Sequence, residues 1–170
     1  MTSQKKLRSF ISLFCAVSLL FSICVPAMAV TAKAVTATTS STVKQGNTAY
    51  CYVSIDSTES LAALDVTVHY DPAKVKINQV YNSVSCTLYD SVINDSDIRF
   101  SYLLDGKGAA VKTQLFYFTY QVLSDAEVGK AWFDITVGEA YDSALNDVAV
   151  SGSRCSFTVA EKTTIKSCSV

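Results

Sequence analysis

The sequence predicts an all-β fold, either an antiparallel sandwich or a barrel. Apolar and polar residues alternate with a period of two along most of the chain. Short segments rich in Gly, Asn, Asp and Ser separate the alternating stretches, as turns do between strands. Among the 170 residues, 49% are hydrophobic and 17% are charged, which suits one domain with one hydrophobic core and argues against disorder.

The first 29 residues are predicted to be a secretory signal peptide that takes no part in the fold. Lys5, Lys6 and Arg8 precede a mostly apolar run from residue 10 to residue 25. This run is a little short for a membrane span of roughly 20 residues. Ala27-Met28-Ala29 then has the small-x-small pattern of a cleavage site. Ala32-Lys33-Ala34 offers a second cleavage site, and an uncleaved membrane anchor is the alternative to a signal peptide. We expect cleavage, which makes the product a secreted protein, extracellular or associated with the cell surface, with no membrane contact of its own.

Residues 30–160 are predicted to form the domain, and residues 161–170 a C-terminal tail. The first half of the domain begins with a linker or edge strand at 30–42 and a turn at 43–47. A strand at 48–56, a polar loop at 57–60 and a second strand at 62–70 follow. In the second of these strands, alternate residues are predicted to point outward: Ala63, Asp65, Thr67 and His69. Pro72 ends the strand because proline cannot donate a ladder hydrogen bond.

The second half of the domain continues with the same alternation. Its extended segments are 75–80, 86–92, 98–103, 114–122, 131–137 and 148–159, with polar turns or loops between several of them. Ile98, Phe100 and Tyr102 are predicted to face the core, which directs the residues between them outward: Arg99, Ser101 and Leu103. A slip of one residue would bury Arg99, and an unpaired buried charge is costly, so we expect Arg99 to point outward.

Composition excludes several function classes. His69 is the only histidine, and it lies on a predicted outward strand face, so a serine hydrolase site is not expected. No motif pairs two carboxylates as glycoside hydrolysis requires, and no EF-hand or glycine-rich phosphate loop is present. Removing residues 1–29 takes away three basic residues and no acidic one, which changes the net charge from −1 to −4. A nucleic-acid-binding surface is therefore not expected, and the protein is not predicted to be an enzyme.

Four cysteines remain after the predicted cleavage: Cys51, Cys86, Cys155 and Cys168. They allow three complete pairings, and the sequence does not choose among them. Cys51 alternates in phase with Ala49, Val53 and Ile55, which favours a buried thiol. Cys168 lies in the polar tail and is expected to be exposed.

Three segments, in this order, resemble the cohesin domain family. The first is Thr42-Val43-Lys44-Gln45-Gly46-Asn47-Thr48, followed by an alternating strand. The second is Leu61-Ala62-Ala63-Leu64-Asp65-Val66-Thr67-Val68-His69-Tyr70-Asp71-Pro72-Ala73-Lys74-Val75, which is similar to the strongest signature of the family. The third is Ile98-Arg99-Phe100-Ser101-Tyr102, together with Gly138-Glu139-Ala140-Tyr141-Asp142. The resemblance extends from about residue 35 to Val159.

The resemblance implies a nine-stranded jelly-roll β-sandwich without enzyme activity. Cohesins bind dockerin modules and thereby attach enzymes to scaffold proteins of cellulosomes, which degrade polysaccharides. The cohesin has no cofactor of its own, since the Ca²⁺ is carried by the dockerin partner. The implied partners are therefore dockerin-bearing enzymes or scaffold proteins, with any contact to polysaccharide made indirectly through the complex.

The resemblance also implies a binding face on the third, fifth, sixth and eighth strands of the family fold. Asp65 matches an Asp that bonds to the dockerin helix, whereas Ala63 stands where the family has Asn. This departure bears on which dockerin is recognised. The candidate partner-binding residues are Ala63, Asp65, Thr67, Arg99, Ser101, Leu103 and Leu145.

Two other functions fit a secreted sandwich. A carbohydrate-binding module would need a planar row of exposed aromatic rings, and its candidates, which are scattered along the sequence, are Tyr50, Tyr52, Tyr81, Tyr89 and Trp132. We expect neighbouring side chains to cover some of them. A purely structural sandwich would have no dedicated partner.

Overall fold

A computed structural model describes residues 33–163, which form eleven β-strands and no helix. The strands are β1 (Lys33–Thr39), β2 (Thr42–Lys44), β3 (Thr48–Ile55), β4 (Ala63–Tyr70), β5 (Val75–Asn82), β6 (Leu88–Ile93), β7 (Asp97–Leu103), β8 (Thr113–Val122), β9 (Gly129–Tyr141), β10 (Val150–Ser151) and β11 (Arg154–Ala160). The predicted signal peptide, most of the predicted tail and Cys168 lie outside the described residues.

The strands form two sheets. The smaller sheet has the order β10-β1-β3-β8-β5, and the larger has the order β2-β11-β9-β4-β7-β6. All pairs are antiparallel except β1 with β10 and β2 with β11. The all-β sandwich prediction is confirmed. Nine strands have six or more residues, as the nine-stranded prediction requires, and the other two, β2 and β10, have three and two.

Aromatic side chains from both sheets fill the space between them. Phe116 and Phe118 of β8 and Phe100 and Phe133 of the larger sheet are fully buried. The ring centroids of Phe100 and Phe116 lie 4.3 Å apart, and those of Phe118 and Phe133 lie 5.1 Å apart in an edge-to-face arrangement. Such pairs add about 0.5–1.5 kcal/mol each to the hydrophobic contribution of burial. Because β-strands alternate, the opposite faces of both sheets are left to the solvent.

Most of the predicted inward positions of the strands are buried, and Cys51 is fully buried, as predicted. Gln114 and Val137, which were predicted in phase with core residues, are only partly buried.

Several bounds differ from the prediction: β9 is longer than the predicted 131–137, and the predicted segment 148–159 is divided into β10 and β11. Two further differences lie in the first half of the domain. Residues 33–39, expected as a linker or edge strand, form β1, which lies between β10 and β3 with Val35 fully buried. The segment predicted as a turn at 43–47 begins with the end of β2, which pairs with β11. Both pairings join residues far apart in sequence, which local alternation does not reveal.

Gly152, between β10 and β11, passes close to the backbone of β9. A Cβ atom on this residue would lie 2.0 Å from the carbonyl oxygen of Ile135. No side chain fits at that distance. Glycine therefore lets β11 enter the larger sheet beside β9.

Candidate functional site

The candidate site is the solvent side of four neighbouring strands in the larger sheet, in the order β9-β4-β7-β6. Strand register arranges its side chains in rows across β4, β7 and β6. The three rows are Ala63–Leu103–Leu88, Asp65–Ser101–Asp90 and Thr67–Arg99–Val92. We call this surface the charged face. Six of the seven candidate residues, all except Leu145, lie in these rows, because β4 and β7 are adjacent and antiparallel.

A salt bridge lies at the centre of the charged face. Nη2 of Arg99 donates to Oδ2 of Asp65 at 3.1 Å, and the two side chains are 58% and 24% exposed. Arg99 thus points outward, as expected. An exposed pair of this kind contributes only about 0–1 kcal/mol to stability. Its effect is to hold the carboxylate in a defined position at the surface.

The β4–β9 pairing is irregular beside Asp65. The register shifts between Leu64 and Val66, and the segment of β9 that contains Gly138 passes this position. A Cβ atom on Gly138 would lie 3.4 Å from Cβ of Asp65, so the glycine leaves the Asp65 side chain uncrowded. Bulges of this kind often redirect a side chain near a functional site.

Exposed apolar side chains surround the salt bridge. Leu88, Val92 and Leu103 all lie on the charged face, and Leu88 is 65% exposed. Leu88 and Leu103 are direct cross-strand neighbours. Apolar side chains grouped on a sheet face, with polar groups among them, are typical of protein-binding surfaces.

Leu145 lies in the loop that follows β9. Tyr141, the last residue of β9, pairs with Ala63, which places this loop at the end of the face where Ala63, Leu103 and Leu88 form a row. The Leu145 side chain is 80% exposed, and its backbone has a φ of 64°. This left-handed conformation is unfavourable for leucine.

Asp142 holds the loop in this conformation. Its Oδ1 accepts hydrogen bonds from the backbone N–H groups of Ala144 and Asn146 at 2.8 and 2.9 Å. Its Oδ2 accepts one from the Asn146 side chain at 3.0 Å. The hydrogen bonds from Asn146 and Ala144 lower the pKa of this carboxyl group. The loop therefore presents Leu145 to the solvent in a fixed position.

A second polar cluster lies beyond Thr67 on the same side of the sheet. Nδ1 of His69 contacts Oδ1 of Asp97 at 2.5 Å, and Nε2 contacts the Thr136 hydroxyl at 3.0 Å. Asp134 accepts a hydrogen bond from Arg154 at 2.6 Å, which lowers the pKa of its carboxyl group. His69 thus lies on the solvent side of β4 in a hydrogen-bonded row with Asp97 and Thr136.

The aromatic candidates for sugar binding separate into two groups. Tyr52 and Tyr81 both pair with Tyr117 of β8, and Tyr50 lies next to them on β3, so these four rings share the solvent side of the smaller sheet. Tyr89 and Trp132 belong to the larger sheet. Three of the five residues that are scattered in sequence are therefore neighbours in space, because β3, β8 and β5 are adjacent strands.

The sequence reasoning missed Leu88, Val92 and Tyr117. Leu88, Asp90 and Val92 alternate, which was a usable sign of a strand, but only the pairing of β6 with β7 places them beside Arg99 and Leu103. Within residues 33–163, no group of three or more Cys, His, Asp or Glu side chains is arranged to hold a metal ion. No helix in that range is long and apolar enough to cross a membrane.

Comparison with known proteins agrees with the family resemblance seen in the sequence. The family model of the cohesin domain matches residues 33–159. The seventh ScaB type I cohesin from Pseudobacteroides cellulosolvens has a similar structure, with a TM-score of 0.66 and 14% identity over 82% of this chain and 99% of that chain. A non-cellulosomal cohesin from the archaeon Archaeoglobus fulgidus gives a TM-score of 0.63 and 16% identity over 76% and 91%.

A third similar structure was solved as a complex. It is the Coh-OlpC-Doc435 cohesin–dockerin complex from Clostridium thermocellum, whose matching chain gives a TM-score of 0.61 and 17% identity over 77% of this chain and 95% of that chain. A search among curated proteins finds no significant match.

Proposed function

The chain belongs to the cohesin domain family, and from this premise we propose that its charged face binds a dockerin module of a partner protein. The observation that carries the proposal is the Asp65–Arg99 pair among exposed apolar side chains on the four strands β9, β4, β7 and β6. The solved cohesin–dockerin complexes among the similar structures support the same class of partner.

The proposed face combines the two contributions that a protein interface needs. Burial of Leu88, Val92, Leu103 and Leu145 against an amphipathic helix would supply most of the binding free energy. The Asp65 carboxylate, the Arg99 guanidinium and the Ser101 hydroxyl would set the position and specificity of that helix. Ala63 offers no side-chain hydrogen bond, so the selected dockerin would meet a small apolar group there.

The proposed role is attachment rather than catalysis. The cohesin family consists of non-catalytic binding modules, and the chain would position dockerin-bearing enzymes or scaffold proteins. The Ca²⁺ needed for binding would be carried by the dockerin, where it orders the helix that docks. We propose export by the N-terminal signal and a place outside the cell, in a cellulosome-type complex that degrades polysaccharides.

Calorimetric titration with a panel of dockerins, with and without Ca²⁺, tests the proposal. We expect binding to at least one dockerin and its loss when the Ca²⁺ is chelated. A protein that binds only sugars, or one without a dedicated partner, would give no heat with any dockerin. That result, with the chain shown to be folded by circular dichroism, would contradict the proposal.

The variant Asp65→Ala tests the role of the carboxylate. A charge-assisted hydrogen bond contributes about 1.5–3 kcal/mol, so we expect dockerin affinity to fall by roughly one to two orders of magnitude. Asp125→Ala is the matched control, because it removes an exposed carboxylate from the turn between β8 and β9. Equal affinities for the two variants would exclude Asp65 from the interface.

A further inference from the structure

We propose that the solvent side of the smaller sheet is a second binding site, and that its ligand is a neutral glycan chain. The site is centred on Tyr50, Tyr52, Tyr81 and Tyr117, which we call the tyrosine face. It lies on the opposite side of the sandwich from the charged face. The proposal does not depend on dockerin binding.

The four rings form a continuous group. Tyr81 and Tyr117 stack with centroids 4.6 Å apart and planes 11° apart, and Tyr117 contacts Tyr52 with centroids 5.8 Å apart. The rings of Tyr50 and Tyr52 are nearly parallel, at 15°, with centroids 6.3 Å apart. Tyr50 is 52% exposed and Tyr52 is 42% exposed, whereas Tyr81 and Tyr117 are half-buried. Tyr81 and Tyr117 thus form an inner pair that supports an outer pair, Tyr50 and Tyr52, whose rings are nearly parallel and accessible.

A shallow depression of about 340 Å³ adjoins the outer pair. Its lining combines the two tyrosines with hydroxyl-bearing side chains and one alanine: Thr38, Thr39, Ser40, Thr48, Ala49, Tyr50 and Tyr52. This volume is at the lower end of the range of small-molecule sites, about 300–1,000 Å³. Aromatic rings next to hydroxyl groups suit a ligand that has both C–H surfaces and hydroxyls.

Charge separates the two faces of the sandwich. The strands of the smaller sheet contain no Asp or Glu, and their only charged residues are Lys33 and Lys76. The larger sheet carries carboxylates on β4, β6, β7 and β9. A face with so little charge offers no electrostatic complement to a charged partner, whether nucleic acid, acidic glycan or a charged protein surface.

A neutral glycan matches the remaining chemistry. The axial C–H groups of a pyranose ring carry partial positive charge and pack on the negatively polarised face of an aromatic ring. The ring hydroxyls can exchange hydrogen bonds with Thr38, Thr48 and the amide side chains of Gln79 and Gln121, which point to the same side of the sheet. Gln121 donates to the carbonyl oxygen of Gly46, and Gln79 accepts from the Tyr81 hydroxyl, so both amides already have one partner within the chain. An apolar protein segment would offer no partner to the Thr38 and Thr48 hydroxyls or to the remaining amide groups, which lowers its affinity.

Affinity electrophoresis tests the proposal. The chain would be run through native gels that contain hydroxyethyl cellulose, arabinoxylan or soluble starch, with polygalacturonate as the anionic comparison. We expect retardation by at least one of the neutral polysaccharides. The double variant Tyr50→Ala with Tyr52→Ala should weaken that binding about tenfold or more, since each ring stacks separately. The variant Tyr50→Phe with Tyr52→Phe keeps the rings and should retain most of the retardation.

The matched control is the double variant Arg99→Ala with Leu103→Ala, which alters the charged face only. It should leave retardation unchanged, whereas the Tyr50→Ala, Tyr52→Ala chain should still bind any dockerin that the unaltered chain binds. No retardation by any neutral polysaccharide would overturn the proposal. So would retardation that survives loss of both rings, or retardation by polygalacturonate alone. A dimer seen by sedimentation velocity and lost in the Tyr50→Ala, Tyr52→Ala chain, without glycan binding, would instead assign the face to contact between two copies.

Discussion

Tyr120 combines a buried ring with a hydroxyl that remains hydrogen-bonded. Its ring packs edge-on against Phe133 with centroids 4.9 Å apart, and its hydroxyl shares a 2.8 Å hydrogen bond with the hydroxyl of Thr39. Burial raises the pKa of this phenol to about 12, although the Thr39 hydrogen bond acts in the opposite direction. A single buried side chain such as Tyr120 thus makes the stability of the fold depend on pH.

The variant Tyr120→Phe should change the alkaline limit of stability. An unfolded tyrosine ionises near pH 10, so between pH 10 and pH 12 the folded chain holds a proton that the unfolded chain has lost. The contribution of Tyr120 is fully present below pH 10 and is lost as the pH rises towards 12. Tyr120→Phe should therefore cost about 1 kcal/mol at pH 8 through the lost hydrogen bond. It should also make the free energy of unfolding fall less steeply above pH 10.

Urea denaturation of the unaltered chain and of Tyr120→Phe at pH 8, 10 and 11 measures how the free energy of unfolding of each depends on pH. Burial also raises the pKa of Tyr70 and Tyr102, so some alkaline loss of stability will remain in the variant. Parallel curves for the two chains across this range would contradict the assignment of the titration to Tyr120.

Among the elements of the fold, the loop after β9 combines backbone strain at Leu145 with exposure of the Leu145 side chain. The left-handed conformation of Leu145 costs of order 1–3 kcal/mol for a residue that is not glycine. The hydrogen bonds to Asp142 hold the loop in place, so a large apolar side chain stays in the solvent. Leu145 therefore contributes little to the core, and its fixed exposure supports the proposed contact with a partner.

The variant Leu145→Gly should separate stability from binding. Glycine adopts a positive φ without strain, so the free energy of unfolding should stay the same or rise by up to about 1 kcal/mol. The affinity for a dockerin should fall, because the apolar contact is lost. Urea denaturation and calorimetric titration measure the two effects.

Leu145→Ala is the matched control, since it removes the same contact and keeps the strain. It should bind dockerin as weakly as Leu145→Gly but be less stable than that variant. Unchanged dockerin affinity in both variants would remove Leu145 from the proposed interface.

At the scale of the whole molecule, two sheets share one aromatic core and present chemically different outer faces. The core packs rings from both sheets, including Phe100, Phe116, Phe118, Tyr120 and Phe133. One outer face carries the Asp65–Arg99 pair, and the other carries the four tyrosines. The two proposed binding functions would therefore use separate surfaces of one sandwich.

Phe133→Ala should destabilise the sandwich as a unit. The Phe133 ring is fully buried and contacts Phe118, Tyr120 and Phe157. Truncation of a buried phenylalanine costs about 3–5 kcal/mol, a large part of the 5–15 kcal/mol typical of a domain. Thermal and urea denaturation should show one lowered transition. Tyr50→Ala, which removes an exposed ring, should change stability far less, and an equal loss in the two variants would contradict this account of the core.

The all-β class, the inward and outward residues of most strands, and the resemblance carried by Leu61–Val75 could all be predicted from the sequence alone. These features are local, because alternation along a strand depends only on which neighbouring residues are apolar. The identity of neighbouring strands, in contrast, is known only from the three-dimensional fold. The fold places Arg99 against Asp65, brings Tyr52, Tyr81 and Tyr117 together, and adds β6 to the charged face. Sheet order and register depend on contacts between residues far apart in the chain, and no local pattern records those energies.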